Sequence, residues 1–154
     1  MTKVKAAKGA AVKTIAHILA ARKGGIVSVA PGDSVRQALQ TMADSDIGAV
    51  LVMEGGHLLG ILSERDYARK IILKGRMSED TEIREVMSDK VICVGLGTTL
   101  DEAMAIMSER KIRHLPAVDA DNEVVGVISM RDLVKEIISE QSFVIAQLER
   151  YIAS

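Results

Sequence analysis

A seven-residue string occurs twice in this chain, and the repetition limits the possible folds more than any other feature. One copy runs from Gly60 to Asp66 and the other from Gly126 to Asp132. In each copy a glycine opens a short apolar run, and an aspartate follows a serine by three positions. The pattern predicts a strand that leads into a helix, with the serine and the aspartate in its first turn. The same two side chains can serve only as a capping box, which satisfies free N–H groups at a helix start.

The duplication extends beyond this string into the preceding helix. Its apolar positions recur 65 residues later, as Val35 and Leu100, Ala38 and Ala103, Leu39 and Met104, and Met42 and Met107. The string itself recurs after 66 residues, so one residue inserted in the hairpin turn accounts for the change. Two copies of a β-α-β-β-α unit are too few for a solenoid. We therefore expect an α/β fold of two tandem repeats, with small sheets packed against helices and a pseudo-twofold axis between the repeats.

Strand and helix signals recur in the same order in both halves. In the first half we predict strands at 26–30, 48–53 and 57–63, a helix capped by Ser34, and a helix from about 64 to 74. In the second half we predict strands at 91–94, 115–118 and 124–129 and a helix capped by Thr99. The run 48–53 is apolar throughout, which predicts a strand buried on both faces.

These signals divide the chain into four predicted segments. Residues 1–13 form a lysine-bearing tail that we expect to be flexible. Residues 14–77 form a first repeat with a leading helix, 78–140 a second repeat with a linking helix, and 141–154 an extension of the last helix. The apolar stripe of that helix continues past the second repeat and predicts a homodimer contact. The stripe consists of Val134, Ile137, Ile138, Gln141, Ile145, Leu148 and Ile152.

Composition excludes several classes of function. A net charge of −1 over 154 residues gives no attraction to nucleic acid or to an anionic membrane surface. No apolar run reaches the roughly 20 residues that span a bilayer, and no secretory signal is visible, so we expect a cytoplasmic protein. With no Trp, one Phe and two Tyr, the chain offers no platform on which bases stack. A bound purine would therefore lie between aliphatic side chains and backbone.

Motifs for metal binding or catalysis are lacking. Cys93 is the single cysteine, which excludes a disulfide framework, and its apolar neighbours predict a small core residue. His17, His57 and His114 have no ligand partners at suitable spacing, so we predict no metal site. A serine and an aspartate without a general base are not a catalytic set. We predict that the protein is not an enzyme.

The repeated string also suits a nucleotide. A carboxylate at a helix start can accept both ribose hydroxyls, while the serine and the free N–H groups face a phosphate. Arg65 and Arg131 occupy the same place in the two copies and can add a charge-assisted phosphate contact. Each arginine can equally be a solvated surface residue, just as each aspartate can be only a cap.

The chain resembles the tandem CBS-domain (cystathionine β-synthase domain pair) proteins, which are two-repeat regulatory modules. The resemblance rests on the repeated string, on the strand end Val27-Ser28-Val29-Ala30-Pro31, and on the run from Ile112 to Val118. It covers residues 14–140, which is nearly the whole chain.

The resemblance implies that each nucleotide is shared between repeats, with ribose held by the aspartate of one and adenine lying against strands of the other. One site would combine Ser63, Arg65 and Asp66 with a base pocket near Ile92, Cys93, Ile112 and Pro116. The other would combine Ser129, Arg131 and Asp132 with a pocket near Val27, Val29, Ile47 and Ala49. Gly48, Leu62 and Ile128 complete the implied base pockets, and Arg113 and His114 match phosphate-contacting positions.

The implied ligand is a regulatory adenosine compound rather than a catalytic cofactor: AMP, ADP, ATP or NADH, with S-adenosylmethionine less favoured. Binding would shift a two-state arrangement that an unknown effector protein reads. The two sites are unequal, because Gly48-Ala49 stands in the first repeat where Arg113-His114 stands in the second. Leu96 also replaces Pro31 at the strand end. We expect the site at Asp132 to bind phosphate better. The alternatives are a ligand-independent dimerisation or interaction module and a small nucleotide-using enzyme.

Overall fold

The computed structural model of the chain describes residues 12–153, so most of the predicted tail lies outside the described residues. In chain order, the first elements are α1 (Ile15–Ala20), β1 (Ser28–Val29), α2 (Val35–Ser45), β2 (Ala49–Glu54), β3 (His57–Ser63) and α3 (Glu64–Asp66). A π-helical turn (Tyr67–Ile72) and a 3-10 turn (Ile83–Glu85) follow. The later elements are β4 (Val94–Gly95), α4 (Leu100–Arg110), β5 (His114–Val118), β6 (Val124–Ser129) and α5 (Met130–Ala153).

Two three-stranded sheets with the same topology confirm the predicted duplication. In one sheet β1 pairs parallel to β2, which pairs antiparallel to β3. In the other, β4 pairs parallel to β5, which pairs antiparallel to β6. β3 and β6 have the predicted bounds, and β2 is buried from Ala49 to Val52, as its uniformly apolar sequence predicted.

The first strand of each repeat is shorter than predicted. β1 retains only Ser28 and Val29 of the predicted 26–30, because only these residues find partners on β2. The second repeat's strand is shifted to Val94–Gly95 from the predicted 91–94, since pairing with β5 begins at Val94. Residues 91–93 therefore lie outside the sheet. An apolar run reveals that a strand is near, but not how many of its residues reach the neighbouring strand.

Side-chain caps define the helices that pack on each sheet. Ser34 Oγ accepts a hydrogen bond from Gln37 N, and Gln37 Oε1 accepts one from Ser34 N, which completes a capping box at α2. Thr99 Oγ1 caps α4 by accepting from Glu102 N, as predicted. The faces that these helices bury are the repeated apolar stripes, Val35, Ala38 and Met42 in α2 and Leu100, Ala103 and Met107 in α4.

The described chain forms two compact units whose membership does not follow sequence order. Gly25–Ile92 form one unit, while the described residues before Gly25 join the described residues from Cys93 onward in the other. Spatial grouping thus differs from the predicted boundaries 14–77 and 78–140: α1 packs with the sheet of the second repeat, and the linking segment with the sheet of the first.

The same backbone contacts fix both of these segments. In the unit that contains α1, Ile15 N donates to Thr98 O at 2.9 Å and Ala16 N to Leu96 O at 3.0 Å. In the other unit, Ile83 N donates to Asp33 O at 2.9 Å and Arg84 N to Pro31 O at 3.0 Å. The side chains of Ile15 and Ile83 are fully buried. Each unit therefore consists of a sheet, its helices and one segment that precedes the other repeat in the sequence.

Helix α5 extends well beyond the part that packs on its own sheet. It contains 24 residues, of which Leu133 alone is buried, and every described residue from Gln141 onward is exposed. Among residues 12–153, no helix is long and apolar enough to cross a membrane.

Candidate functional site

Each predicted ribose carboxylate lies in the first helical turn after a hairpin, as the sequence predicted. In the unit of the first repeat, Ser63 N donates to Asp66 Oδ2 at 3.0 Å and Asp66 N donates to Ser63 Oγ at 3.1 Å. In the other unit, Ser129 N donates to Asp132 Oδ2 at 2.8 Å and Asp132 N donates to Ser129 Oγ at 3.1 Å. Both serine–aspartate pairs are thus capping boxes, and one carboxylate oxygen of each aspartate is already engaged.

The strand beside each capping box carries the predicted difference in charge. Ala49 lies opposite Ser63, and Glu64 N donates to Gly48 O at 3.0 Å. His114 lies opposite Ser129, and Met130 N donates to Arg113 O at 2.8 Å. Gly48-Ala49 and Arg113-His114 therefore occupy equivalent positions. In the second repeat, an arginine and a histidine flank the turn that carries Asp132.

The two aspartates differ in their cationic partners, neither of which the sequence analysis identified. Asp66 Oδ1 is 3.2 Å from Lys70 Nζ one helical turn later, and that ammonium also donates to Val86 O at 2.8 Å. Asp132 Oδ2 accepts from Arg22 Nη2 at 2.9 Å, while Arg22 Nη1 donates to Val127 O at 2.6 Å. Lys70 was detectable from its i,i+4 spacing to Asp66. Arg22 gave no such signal, because its contact depends on where α1 packs.

A second link ties the segment around α1 to the helix that carries Asp132. Lys13 Nζ lies 2.5 Å from Glu136 Oε1, and His17 Nε2 lies 3.7 Å from the same oxygen. The hydrogen bond from Lys13 is the main cause that holds the pKa of Glu136 below its ordinary value. Glu136 and Asp132 are one turn apart on α5, so two ion pairs fix the residues around α1 beside the candidate site.

The recurring glycine has a packing role. A Cβ atom on Gly126 would lie 2.7 Å from Leu19 Cδ2, and one on Gly60 would lie 2.7 Å from both Met87 Sδ and Ser88 O. Leu19 belongs to α1, and Met87 and Ser88 belong to the segment that links the two repeats. These two segments, called the exchanged segments below because each packs on the sheet of the other repeat, contact the strands directly at the glycines. The glycine in the repeated string is therefore explained without any ligand, whereas the serine and aspartate remain the ligand candidates.

The predicted base-pocket residues are distributed over both units and over several degrees of burial. Val29, Ala49 and Leu62 are buried in one unit, and Pro116 and Ile128 in the other. The half-buried members are Val27, Ile47, Gly48, Ile92 and Ile112. The side chains of Leu62 and Ile128 are wholly enclosed in the cores. The combination of each serine–arginine–aspartate set with a base pocket from the other repeat stays a prediction.

The remaining predicted side chains are more accessible. Arg65, Arg113 and Arg131 are exposed, and His114 is half-buried. Cys93 is exposed as well, so its prediction as a small core residue is wrong, because it precedes β4 and lies outside the sheet. Partial desolvation raises the pKa of the Cys93 thiol. Among residues 12–153, no group of three or more His, Cys, Asp or Glu side chains is arranged to hold a metal ion.

Comparison with known proteins gives consistent matches along most of the chain. The sequence model of the CBS domain matches residues 15–73 and 83–139. A solved structure of a putative signal-transduction protein with CBS domains from Burkholderia ambifaria is 42% identical, with a TM-score of 0.80, and the match covers 84% of this chain and 96% of that one. These matches confirm the resemblance seen in the repeated string.

Two curated relatives extend this picture. The CBS domain-containing protein YhcV of Bacillus subtilis is 32% identical over 117 residues, which cover 76% of this chain and 82% of YhcV. The mitochondrial CBS domain-containing protein CBSX3 of Arabidopsis thaliana is 35% identical over 125 residues, which cover 78% of this chain. The matched region spans 60% of the length of CBSX3.

Proposed function

The chain belongs to the CBS-domain family, and on that premise we propose that it binds an adenosine-containing ligand and passes the bound state to another protein. The observation that carries the proposal is the recurrence of a serine-capped aspartate at a helix start in both units. At each place a carboxylate, a hydroxyl and two backbone N–H groups lie within one helical turn and bond to one another in the capping box. That combination complements the hydroxyls of a ribose and the charge of a phosphate.

To bind either aspartate, the ligand must replace a cationic side chain that already contacts the carboxylate. A ribose at Asp66 would displace Lys70 from Oδ1, and a ribose at Asp132 would displace Arg22 from Oδ2. Neither displaced cation is lost, because both side chains are long and partly exposed. Each can move to a phosphate of the same ligand, where an arginine forms bidentate contacts. The exchange replaces a carboxylate partner by a phosphate partner and leaves the number of charge-assisted bonds similar.

Solved structures of the same fold support the class of ligand. The CBS domain pair of protein MJ0100 was solved with 5′-methylthioadenosine and S-adenosylmethionine; it is 23% identical to this chain, has a TM-score of 0.74, and the match covers 84% of this chain and 99% of that one. The CBS domain protein PAE2072 from Pyrobaculum aerophilum was solved with AMP; it is 20% identical, has a TM-score of 0.70, and the match covers 82% of this chain and 99% of that one. AMP, ADP, ATP and NADH are the ligands we favour for this chain.

We expect phosphate to be bound more tightly at Asp132 than at Asp66. The turn at Asp132 is flanked by Arg113 and His114, and Arg22 already contacts its carboxylate. The turn at Asp66 has Gly48 and Ala49 at the equivalent positions. The additional positive charge favours a ligand with a longer phosphate chain at the second repeat.

Isothermal titration with AMP, ADP, ATP, NADH and S-adenosylmethionine tests the proposal. The informative variants are Asp66→Asn and Asp132→Asn, because asparagine keeps an oxygen for the serine N–H but removes the charge that binds two hydroxyls. We expect Asp132→Asn to weaken ATP binding more than Asp66→Asn. The exposed turn variant Asp121→Asn is the matched control and should bind normally.

Several outcomes would contradict the proposal. If no adenosine compound binds the wild-type protein, the turns at Asp66 and Asp132 do not bind such ligands and the module acts through protein contacts alone. Greater loss from Asp66→Asn would overturn the assignment of the phosphate site to the second repeat. We propose no catalytic role, and steady consumption of ATP or NADH by the pure protein would contradict that.

A further inference from the structure

The exposed face of α5 has the residue spacing of a coiled coil. Its seam positions alternate by four and three residues, and they are Val134, Ile138, Gln141, Ile145, Leu148 and Ile152. Isoleucine fills every second seam position, and valine, glutamine and leucine fill the others. This is the a and d pattern by which two helices pack side by side, with knobs of one entering holes of the other.

No described residue of its own compact unit covers this seam. The five apolar seam residues are all exposed, Ile145 to 55% and Leu148 to 56%. Helix α5 turns Leu133 toward its own sheet, which places the seam on another side of the helix. A projecting helix of this length is marginally stable in water unless its apolar face is packed. The seam therefore needs a partner helix.

We propose that the partner is α5 of a second copy of this chain, bound in the antiparallel direction. Antiparallel pairing centred on position 143 places Ile138 against Leu148 of the second copy and Ile145 against Gln141. It also places Ile152 against Val134. Each contact then occurs twice about a twofold axis, so one helix face is complementary to itself.

Charge distinguishes this arrangement from the parallel one. The positions that border the seam on one side are Lys135, Ser142 and Glu149, and on the other side Ile137, Val144 and Tyr151. Antiparallel pairing brings Lys135 of each copy beside Glu149 of the other. Parallel pairing would bring Ile137 beside Ser142 and Val144 beside Glu149, with no opposite charges in contact. Exposed ion pairs add little affinity, but they do select orientation.

The start of α5 provides a place for the end of the partner helix. Met130, Arg131, Val134, Lys135 and Ile138 line a shallow apolar depression on this helix. In the antiparallel arrangement, Ile152 of the second copy lies on Val134 and covers the depression. The inference does not rest on the proposed function, and the covered depression includes Arg131, one of the predicted phosphate contacts.

Sedimentation velocity on the full chain tests whether the seam forms the dimer. Ile145→Asp should raise the dimer dissociation constant by about 100-fold or more, because two buried isoleucines are lost at one symmetric interface. Phe143→Asp is the matched control, since Phe143 is 65% exposed on the opposite side of the same helix and should leave the dimer intact. A wild-type monomer at tens of micromolar, or dimerisation unaffected by Ile145→Asp, would overturn the proposal.

Charge reversal tests the direction of the helices. Lys135→Glu and Glu149→Lys should each weaken the dimer by roughly 10-fold, and the double variant should restore it. The two residues are too far apart within one helix to compensate each other there. Single reversals without effect on the dimer would contradict the antiparallel pairing.

Cross-linking gives a second readout of direction. In a Cys93→Ser background, Ser142→Cys should form a disulfide between copies, because position 142 faces itself across the twofold axis. Glu149→Cys is the matched control and should not cross-link, since antiparallel pairing separates the two copies of position 149. Cross-linking of Glu149→Cys as strong as that of Ser142→Cys would overturn the proposal.

Discussion

Arg22 and Asp132 form an ion pair at the turn that we propose as a ribose site, with Nη2 and Oδ2 2.9 Å apart. The second guanidinium nitrogen of Arg22 donates to Val127 O at 2.6 Å, so the side chain spans the strand β6 and the helix α5. Arg22 thus occupies the carboxylate that a ribose would use. A ligand hydroxyl that uses Asp132 Oδ2, which also accepts from Ser129 N, must displace this guanidinium.

The displacement predicts opposite effects of Arg22→Ala on two ligands. Adenosine, which has no phosphate, should bind the variant about two- to fivefold more tightly, because it no longer competes with an exposed ion pair. ATP should lose affinity or gain none, since the displaced guanidinium is available to its phosphates. Isothermal titration with both ligands measures the difference.

Arg36→Ala is the matched control for this experiment. Arg36 forms a similar exposed ion pair with Glu79, and both residues belong to the other unit. Its removal should change neither affinity. Equal effects of Arg22→Ala on adenosine and ATP would show that Arg22 does not act on the phosphates.

The two string glycines should differ in their tolerance of a methyl group. Gly60→Ala would bring its Cβ within 2.7 Å of a backbone oxygen, Ser88 O, which cannot rotate away. Gly126→Ala would meet only the flexible end of Leu19. We expect a loss of about 1–3 kcal/mol in unfolding free energy for Gly60→Ala and below about 1 kcal/mol for Gly126→Ala. Urea denaturation measures both.

Gly95→Ala supplies the control for the glycine series. Gly95 also lies in a strand, and a Cβ there would have no atom within 4 Å. Its substitution should be neutral. A Gly60→Ala protein as stable as the wild type would mean that the linking segment does not press on β3 as the structure indicates.

The fold was predictable from sequence to a greater extent than the site. Apolar runs separated by short polar or glycine turns located both hairpins, and β3 and β6 ended where predicted. The sheet on which each exchanged segment packs was not predictable, because no sequence pattern in α1 or in the linking turn indicates which sheet it contacts. Arg22 was missed for the same reason, as its partner lies 110 residues away in the sequence. Contacts between residues close in sequence, such as helix caps, can be predicted from the sequence, whereas a contact between polar side chains far apart in sequence cannot.

The ion pair between Lys13 and Glu136 should make stability depend on acid pH. Its hydrogen bond lowers the folded-state pKa of Glu136 below the ordinary value of 4.5. The pair therefore stabilises the fold fully above that value, and this contribution is lost as the pH falls through the folded-state pKa. The difference in urea midpoint between wild type and Lys13→Met should be constant near pH 7 and shrink below about pH 4. A difference that persists unchanged at pH 3 would contradict the assignment.

Cys93 offers a chemical test of the predicted base pocket, because it is the single cysteine of the chain and is exposed. Its raised pKa means that little thiolate forms at pH 7, so alkylation by iodoacetamide should be slow there and accelerate as the pH approaches the thiol pKa. If adenine binds beside Cys93, saturating AMP should slow alkylation several-fold in the wild type. Asp66→Asn should abolish that protection, because the resemblance pairs the base pocket at Cys93 with the ribose site at Asp66, whereas Asp132→Asn should retain it. Protection that survives Asp66→Asn but is lost in Asp132→Asn would reverse the pairing, and an alkylation rate unaffected by bound AMP would remove Cys93 from the pocket.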